Sequence, residues 1–182
     1  MAAPLSFVAK PTVVGQLVTL RPAQASDAAE LAAVDPETFR LTGTHRDFDL
    51  AELQQWYGRL GEKADRIDWA IIENTTAAWA GEAVLNELDA DNRSCGFRIL
   101  LQGPRFYGRG LGTEATRLAV AYAFSVGVHR VELEVYDFNP RARRVYEKAG
   151  FRYEGTKRDA LRWDDSWVDA HTMSILDSDP VA

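Results

Sequence analysis

Cysteine is almost missing. Cys95 stands alone among 182 residues, which excludes an internal disulfide and any metal site built from several thiolates. The three histidines, His45, His129 and His171, form no pattern with it, so Cys95 reads as a small buried strand residue rather than a nucleophile. No apolar run approaches the roughly 20 residues that cross a bilayer, and no membrane role is expected. The opening "MAAPLSFVAKPTVVGQ" lacks the basic stretch and long apolar core of a signal peptide, so a cytoplasmic protein is expected. Positive charge is in deficit, with 21 Lys and Arg against 27 Asp and Glu and a net charge of −6. That balance repels phosphate backbones and argues against sequence-independent nucleic-acid binding. It would suit a cationic substrate, although moderate acidity also simply keeps a protein soluble. No linker or internal repeat divides the chain, so the reading is an N-terminal arm over 1–15 and one domain over 16–178.

What is present is enough apolar material for one core: 46% of residues are hydrophobic and 10% aromatic, and a chain of this length buries roughly 70% of its unfolded surface. Pro4, Pro11 and Gly15 leave residues 1–15 without a period, as a loose arm. "LVTLR" (17–21) reads as a strand and "SDAAELAAV" (26–34) as a capped helix. Leu50, Leu53, Tyr57 and Leu60 recur at helical spacing up to Gly61. "IDWAIIE" (67–73), "WAGEAVLNELD" (79–89) and "SCGFRILL" (94–101) form an antiparallel meander around the turn signals "NTTA" and "DNR". Leu111, Ala115, Leu118, Ala119, Tyr122 and Val126 mark a helix closing at Gly127, followed by the strand "RVELEVY" (130–136). Asn139-Pro140 caps and starts another helix, which Gly150 ends. The strands "FRYEGTKRDALRW" and "WVDAHTMSIL" close the chain around Asp164-Asp165-Ser166. The fold class is therefore α/β (α+β), a mixed sheet covered by helices.

The densest signal is "YGRGLGTEA" (107–115), with Gly108, Gly110 and Gly112 in front of a helix. The first amides of a helix have no internal partner, and its dipole places about half a positive charge there. Glycines let those amides approach a phosphate without interference from Cβ. The stretch also fits the dinucleotide pattern G-x-G-x-x-A, with Asp137 ending the next strand. That acid lies beyond the spacing of about 20 residues such sites use, and an antiparallel meander precedes the glycines. A nucleotide-cofactor oxidoreductase of NAD type nevertheless stays open on the residues alone. A kinase-type P-loop fails, since no Gly-Lys-Ser/Thr follows.

Taken with "VHRVELEVYDFNPRARRVYEKAGFRYEG", this stretch resembles the acyl-CoA-binding half of the GNAT acetyltransferases. The likeness is nearest to the subgroup of ribosomal-protein N-terminal acetyltransferases (RimJ/RimL type). "LVTLRPAQASDAAEL" resembles that group's opening and "EGTKRDALRWDDSWVDAHTMSIL" its closing hairpin, so the likeness covers most of the chain. The family signature Gln/Arg-x-x-Gly-x-Gly/Ala is met from Arg105 to Gly110. In the frame ending at Gly112, Tyr107 departs from it. The resemblance implies a GNAT fold with a mostly antiparallel sheet and an acetyl-CoA-dependent N-acetyltransferase that uses no metal. The acceptor would be a primary amine on a protein N-terminus, a polyamine or a small molecule. Amides of Tyr107, Gly108, Arg109, Gly110, Leu111, Gly112 and Thr113 would hold the pyrophosphate, and Asn139 the pantetheine arm. Arg141, Arg143 or Arg144 would meet the 3′-phosphate, Tyr146 the thioester sulfur, and backbone N–H groups around Ile99 to Leu101 the oxyanion. Many relatives are dimers, which makes a homodimer an open expectation.

An alkylamine is neutral to only about one part in 10³ at pH 7, so a carboxylate base is expected. Glu87, on a strand beside the inferred cleft, is the first choice, with Glu82 and Asp89 as rivals. Trp163, Trp167, Asp169 and His171 on the last hairpin are candidates for the acceptor pocket. A non-catalytic acyl-CoA-binding module on the same scaffold is the remaining alternative.

Overall fold

The computed structural model describes residues 5–45 and 48–180. Eight strands among them form one sheet: β1 (Val13–Val14), β2 (Val18–Pro22), β3 (Ile67–Glu73), β4 (Trp79–Asp89), β5 (Ser94–Leu101), β6 (Arg130–Tyr136), β7 (Arg152–Trp163) and β8 (Ser166–Leu176). Five helices accompany them: α1 (Ala28–Ala32), α2 (Pro36–Leu41), α3 (Leu50–Arg59), α4 (Leu111–Ser125) and α5 (Pro140–Lys148). The sheet order is β1-β2-β3-β4-β5-β6-β8-β7, antiparallel throughout except for β5 beside β6. This is the mixed, mostly antiparallel α/β sheet flanked by helices that the sequence implied.

Period-two alternation decides what lies on each face. Ile67, Trp69 and Ile71 of β3 join Leu111, Ala115 and Ala119 of α4 in the larger core. Ala70 of β3 turns the other way and packs with Leu31, Leu53, Tyr57 and Trp79 under the helices α1 and α3. The sheet is thus the middle of three layers, and β4 is buried from Trp79 to Leu85.

Two readings of the sequence need correction. The arm is not loose over its described part: Phe7 is wholly buried, and β1 pairs with β2. Trp69 Nε1 donates to Pro11 O at 2.9 Å and Tyr122 Oη to Ala9 O at 3.0 Å. These are contacts with distant residues, which local sequence does not display. The helical stretch over 26–34 divides into a 3₁₀ turn (Ala25–Asp27) and the short α1. A further helix, α2, follows at Asp35-Pro36, where the Asp35 carboxylate caps Glu37 N at 2.8 Å.

The feature that positions the site is a failure of pairing. β5 and β6 are joined only over Ser94–Gly96 against Arg130–Glu132. Beyond Gly96, β5 stays with β4 and β6 with β8, so the sheet opens into a wedge.

Candidate active site

The glycine segment lies at the mouth of α4. Gly108 (φ 71°) and Gly110 (φ 83°) both occupy the left-handed region, which other residues adopt only under strain. Gly112 is in the first turn of the helix, where an added Cβ would make ordinary contacts with Leu101 at 3.6 Å and Val145 at 3.9 Å. Two of the three glycines are therefore explained by backbone conformation alone, and Gly112 by its place at a channel wall. The first internal bond of α4 is Glu114 N to Gly110 O at 3.0 Å. The amides of Gly108, Arg109, Gly110, Leu111, Gly112 and Thr113 reach no acceptor among the described residues. Consecutive unsatisfied N–H groups at a helix N-terminus make an anion cradle.

Side chains in this segment do other work. The Arg109 guanidinium pairs with buried Glu73 and leans on Arg105 O at 3.3 Å, so only its amide faces the cradle. Tyr107 Oη shares a hydrogen bond with Thr38 Oγ1 of α2 at 2.7 Å, and Arg141 lies over the Tyr107 ring at 4.4 Å. The residue that departs from the family signature thus bolts the loop to α2. Asn139 caps α5 through Ala142 N at 3.1 Å and donates to Leu41 O at 3.2 Å. It is both a cap and a tie to α2.

From the cradle a narrow channel runs into the wedge, with Leu101, Gly112, Asn139, Val145 and Tyr146 among its lining residues. Tyr146 is 6% exposed and packs edge-on against Phe97. Burial holds its phenol above the usual tyrosine value, and its hydroxyl meets no partner among the described residues. The backbone of β5 faces the same gap. Gln102 N bonds Ala80 O at 2.8 Å, toward β4. Alternation along an antiparallel strand directs Leu100 N the same way and turns the amides of Ile99 and Leu101 into the wedge.

A second cavity, about 580 Å³, abuts the channel and shares Thr42, Ile99 and Leu100 with it. Its acidic lining residue is Glu82, which is 9% exposed and accepts a hydrogen bond from Tyr57 Oη at 3.1 Å. Burial, reinforced by the charge of Asp68, raises the Glu82 carboxyl to about 8. Burial, with the nearby Glu82 carboxyl, pushes the Tyr57 phenol well above its ordinary value, so it stays a donor.

Glu87, the first choice of base, is not in this cavity. It is exposed at a bulge in β4 with φ 55°, beyond the segment that faces α3. Asp89 is exposed as well, and its carboxylate accepts from Asn92 N at 2.9 Å. Glu82 was distinguishable in the sequence: it interrupts the apolar run "WAGEAVL", whereas Glu87 sits in polar "NELD". On the last hairpin, Trp163 reaches the cavity wall indirectly by stacking on His45 at 4.5 Å. Trp167 is exposed, Asp169 accepts from Asp159 N at 2.9 Å, and His171 bridges Asp137 and Thr156. Thr38, Leu41 and Thr42, from α2 and its end, line the channel unforeseen.

A family model for the acetyltransferase (GNAT) domain matches residues 18–152. The chain belongs to the GNAT acetyltransferase family. A Bacillus subtilis protein named "Probable N-acetyltransferase YjcK" is 27% identical over 175 residues, 91% of this chain and 97% of that one. The spermidine N(1)-acetyltransferase of Vibrio cholerae is 28% identical over 136 residues, 74% of this chain and 76% of its own. Among solved structures, a GCN5-related N-acetyltransferase from Brucella melitensis gives a TM-score of 0.77 at 26% identity, covering 97% of this chain and 83% of that one. The V. cholerae spermidine N-acetyltransferase in complex with CoA and spermine gives 0.82 at 22%, covering 91% and 98%, a likeness of fold. The oxidoreductase alternative falls with this assignment. β5–α4–β6 is the one parallel unit among the described residues, and Asp137 is engaged by His171.

Proposed function

We propose that the protein moves an acetyl group from acetyl-CoA onto a primary amine by direct attack, with the coenzyme in the Tyr146 channel and the amine in the Glu82 cavity. The observation that carries this reading is the shared wall of Thr42, Ile99 and Leu100, across which the two spaces meet. The coenzyme suits the residues present: six free amides for a pyrophosphate, then a narrow channel for an arm. Bound acetyl-CoA supplies a thioester carbonyl carbon to which the amine nitrogen bonds as the C–S bond breaks and the thiol departs. Glu82 takes the proton that the amine loses, directly or through water. With a carboxyl raised to about 8, roughly one tenth of it is ionised at pH 7, and it is a correspondingly stronger base when it is. The amides of Ile99 and Leu101 receive the oxygen as it gains charge. Tyr146, whose hydroxyl bonds no described residue, donates to the departing sulfur and completes the transfer late, since burial holds its proton tightly. A relative named for spermidine acetylation supports an amine acceptor. Within the family we place the chain beside the ribosomal-protein N-terminal acetyltransferases, on its opening and closing segments.

Calorimetry with acetyl-CoA, and CoA release measured across a panel of amines, test the reading together. Saturable binding with amine-dependent release is expected. No binding below about millimolar ends it, and tight binding without release from any amine makes the protein an acyl-CoA-binding module instead.

A further inference from the structure

Resting on that reading, the geometry points to an acceptor that is anionic at one end: a small amino carboxylate with an apolar or aromatic body, selected by Arg98. The charges around the cavity lead there. Arg66 is neutralised by Asp68, with Nε at 2.7 Å from Oδ2 and the second nitrogen at 2.6 Å from Oδ1. Glu82 is the acidic member of the lining, and burial keeps it mostly protonated near neutral pH. Arg98, exposed on β5, also lines the cavity; it makes no hydrogen bond, ion pair or ring contact with any described residue, and its charge acts on Glu82. Among the described lining residues a linear polycation would meet one largely uncharged acid and a guanidinium held in no ion pair. An acceptor with a carboxylate would meet the planar fork that binds such groups in bidentate fashion.

The register gives the spacing. Arg98 lies opposite Val84 and Leu100 opposite Glu82 on the β4–β5 pair, so Arg98 and Glu82 are diagonal neighbours on the cavity face. Diagonal neighbours on one face stand about 7–8 Å apart. Both side chains therefore open onto one face, where an α-amino acid sets its amine beside the Glu82 carboxyl and its carboxylate on Arg98. The remaining wall includes Leu31, Phe39, Phe48, Leu53 and Trp56, and the volume of about 580 Å³ accommodates an aromatic side chain.

The test compares kcat/KM for L-phenylalanine, L-phenylalaninamide and spermidine at saturating acetyl-CoA. The acid is expected to exceed its amide, and spermidine, by ten-fold or more. In Arg98→Gln the acid-to-amide ratio should collapse by ten-fold or more, mainly through KM of the acid, with Arg98→Lys intermediate. Binding of acetyl-CoA reports whether Arg98→Gln has folded; if it has not, Arg98→Lys carries the comparison. A ratio that ignores both substitutions overturns the inference, as does an amide or spermidine preferred over the acid. Transfer to spermidine but not to the acid overturns this inference alone, whereas no transfer to any amine removes the acetyl-transfer reading as well.

Discussion

The two spaces that meet at Ile99 and Leu100 are built from different materials. The channel opens from a cradle of main chain, six amides from Gly108 to Thr113 whose course is set by two left-handed glycines. The larger cavity is made of side chains brought from far apart: Leu31, Tyr57, Glu82 and Arg98 come from different elements. A surface of backbone presents the same donors whatever the side chains are. A surface of side chains changes with each substitution, so the cradle fits a constant ligand and the cavity a variable one.

The sharpest way to break this contrast is to remove Glu82, the acid among the cavity's described lining residues. Glu82→Gln should lower kcat by about 10²-fold or more, the usual scale of a lost general base, with acetyl-CoA affinity barely altered. In the native enzyme kcat/KM should show an inflection near pH 8, where the carboxyl that accepts the proton ionises, and Glu82→Gln should lose that inflection and keep only the rise set by the amine's own ionisation. Stability should move the opposite way. Between the ordinary value of about 4.3 and the raised one, the folded state holds a proton that the unfolded chain has released. Stability therefore falls as pH rises through that window, and melting at pH 6 and pH 9 should show a smaller loss for Glu82→Gln.

Tyr146→Phe comes next. Turnover should drop ten-fold or more while calorimetry finds coenzyme binding within about threefold of native; an unchanged rate would take Tyr146 out of the chemistry. On the main-chain side, Gly110→Ala meets both φ 83° and a contact with Leu17 at 3.2 Å, for a cost of about 1–2 kcal/mol and weaker acetyl-CoA binding. Gly112→Ala has room at 3.6 Å and should destabilise far less; equal losses would refute the conformational account of the loop. A small effect on stability is expected from Asn139→Ala, about 1 kcal/mol for a lost cap, read as a lower melting temperature.

The same contrast explains what the sequence revealed. β3, β4, β5 and β6 run as read, because apolar alternation and turn residues bound them locally. The cradle was legible because backbone conformation is written in adjacent glycines. α2 was missed although Asp35-Pro36 carries the same cap-and-proline pair as Asn139-Pro140, since six residues are too few to show a helical period. Glu87 was preferred to Glu82 because strand membership alone does not say which carboxylate faces a cavity; a bulge and the packing of α3 decide that. The burial of Phe7 likewise depends on distant contacts.

The short run over which β5 and β6 touch has an evolutionary corollary. Hydrogen-bond donors exposed because two ribbons part company belong to the polypeptide itself, so exchanging the residues at 99 or 101 leaves them in place unless the newcomer is proline. Lineages can therefore vary the amino acids along that edge without erasing the amides proposed to receive the acyl oxygen.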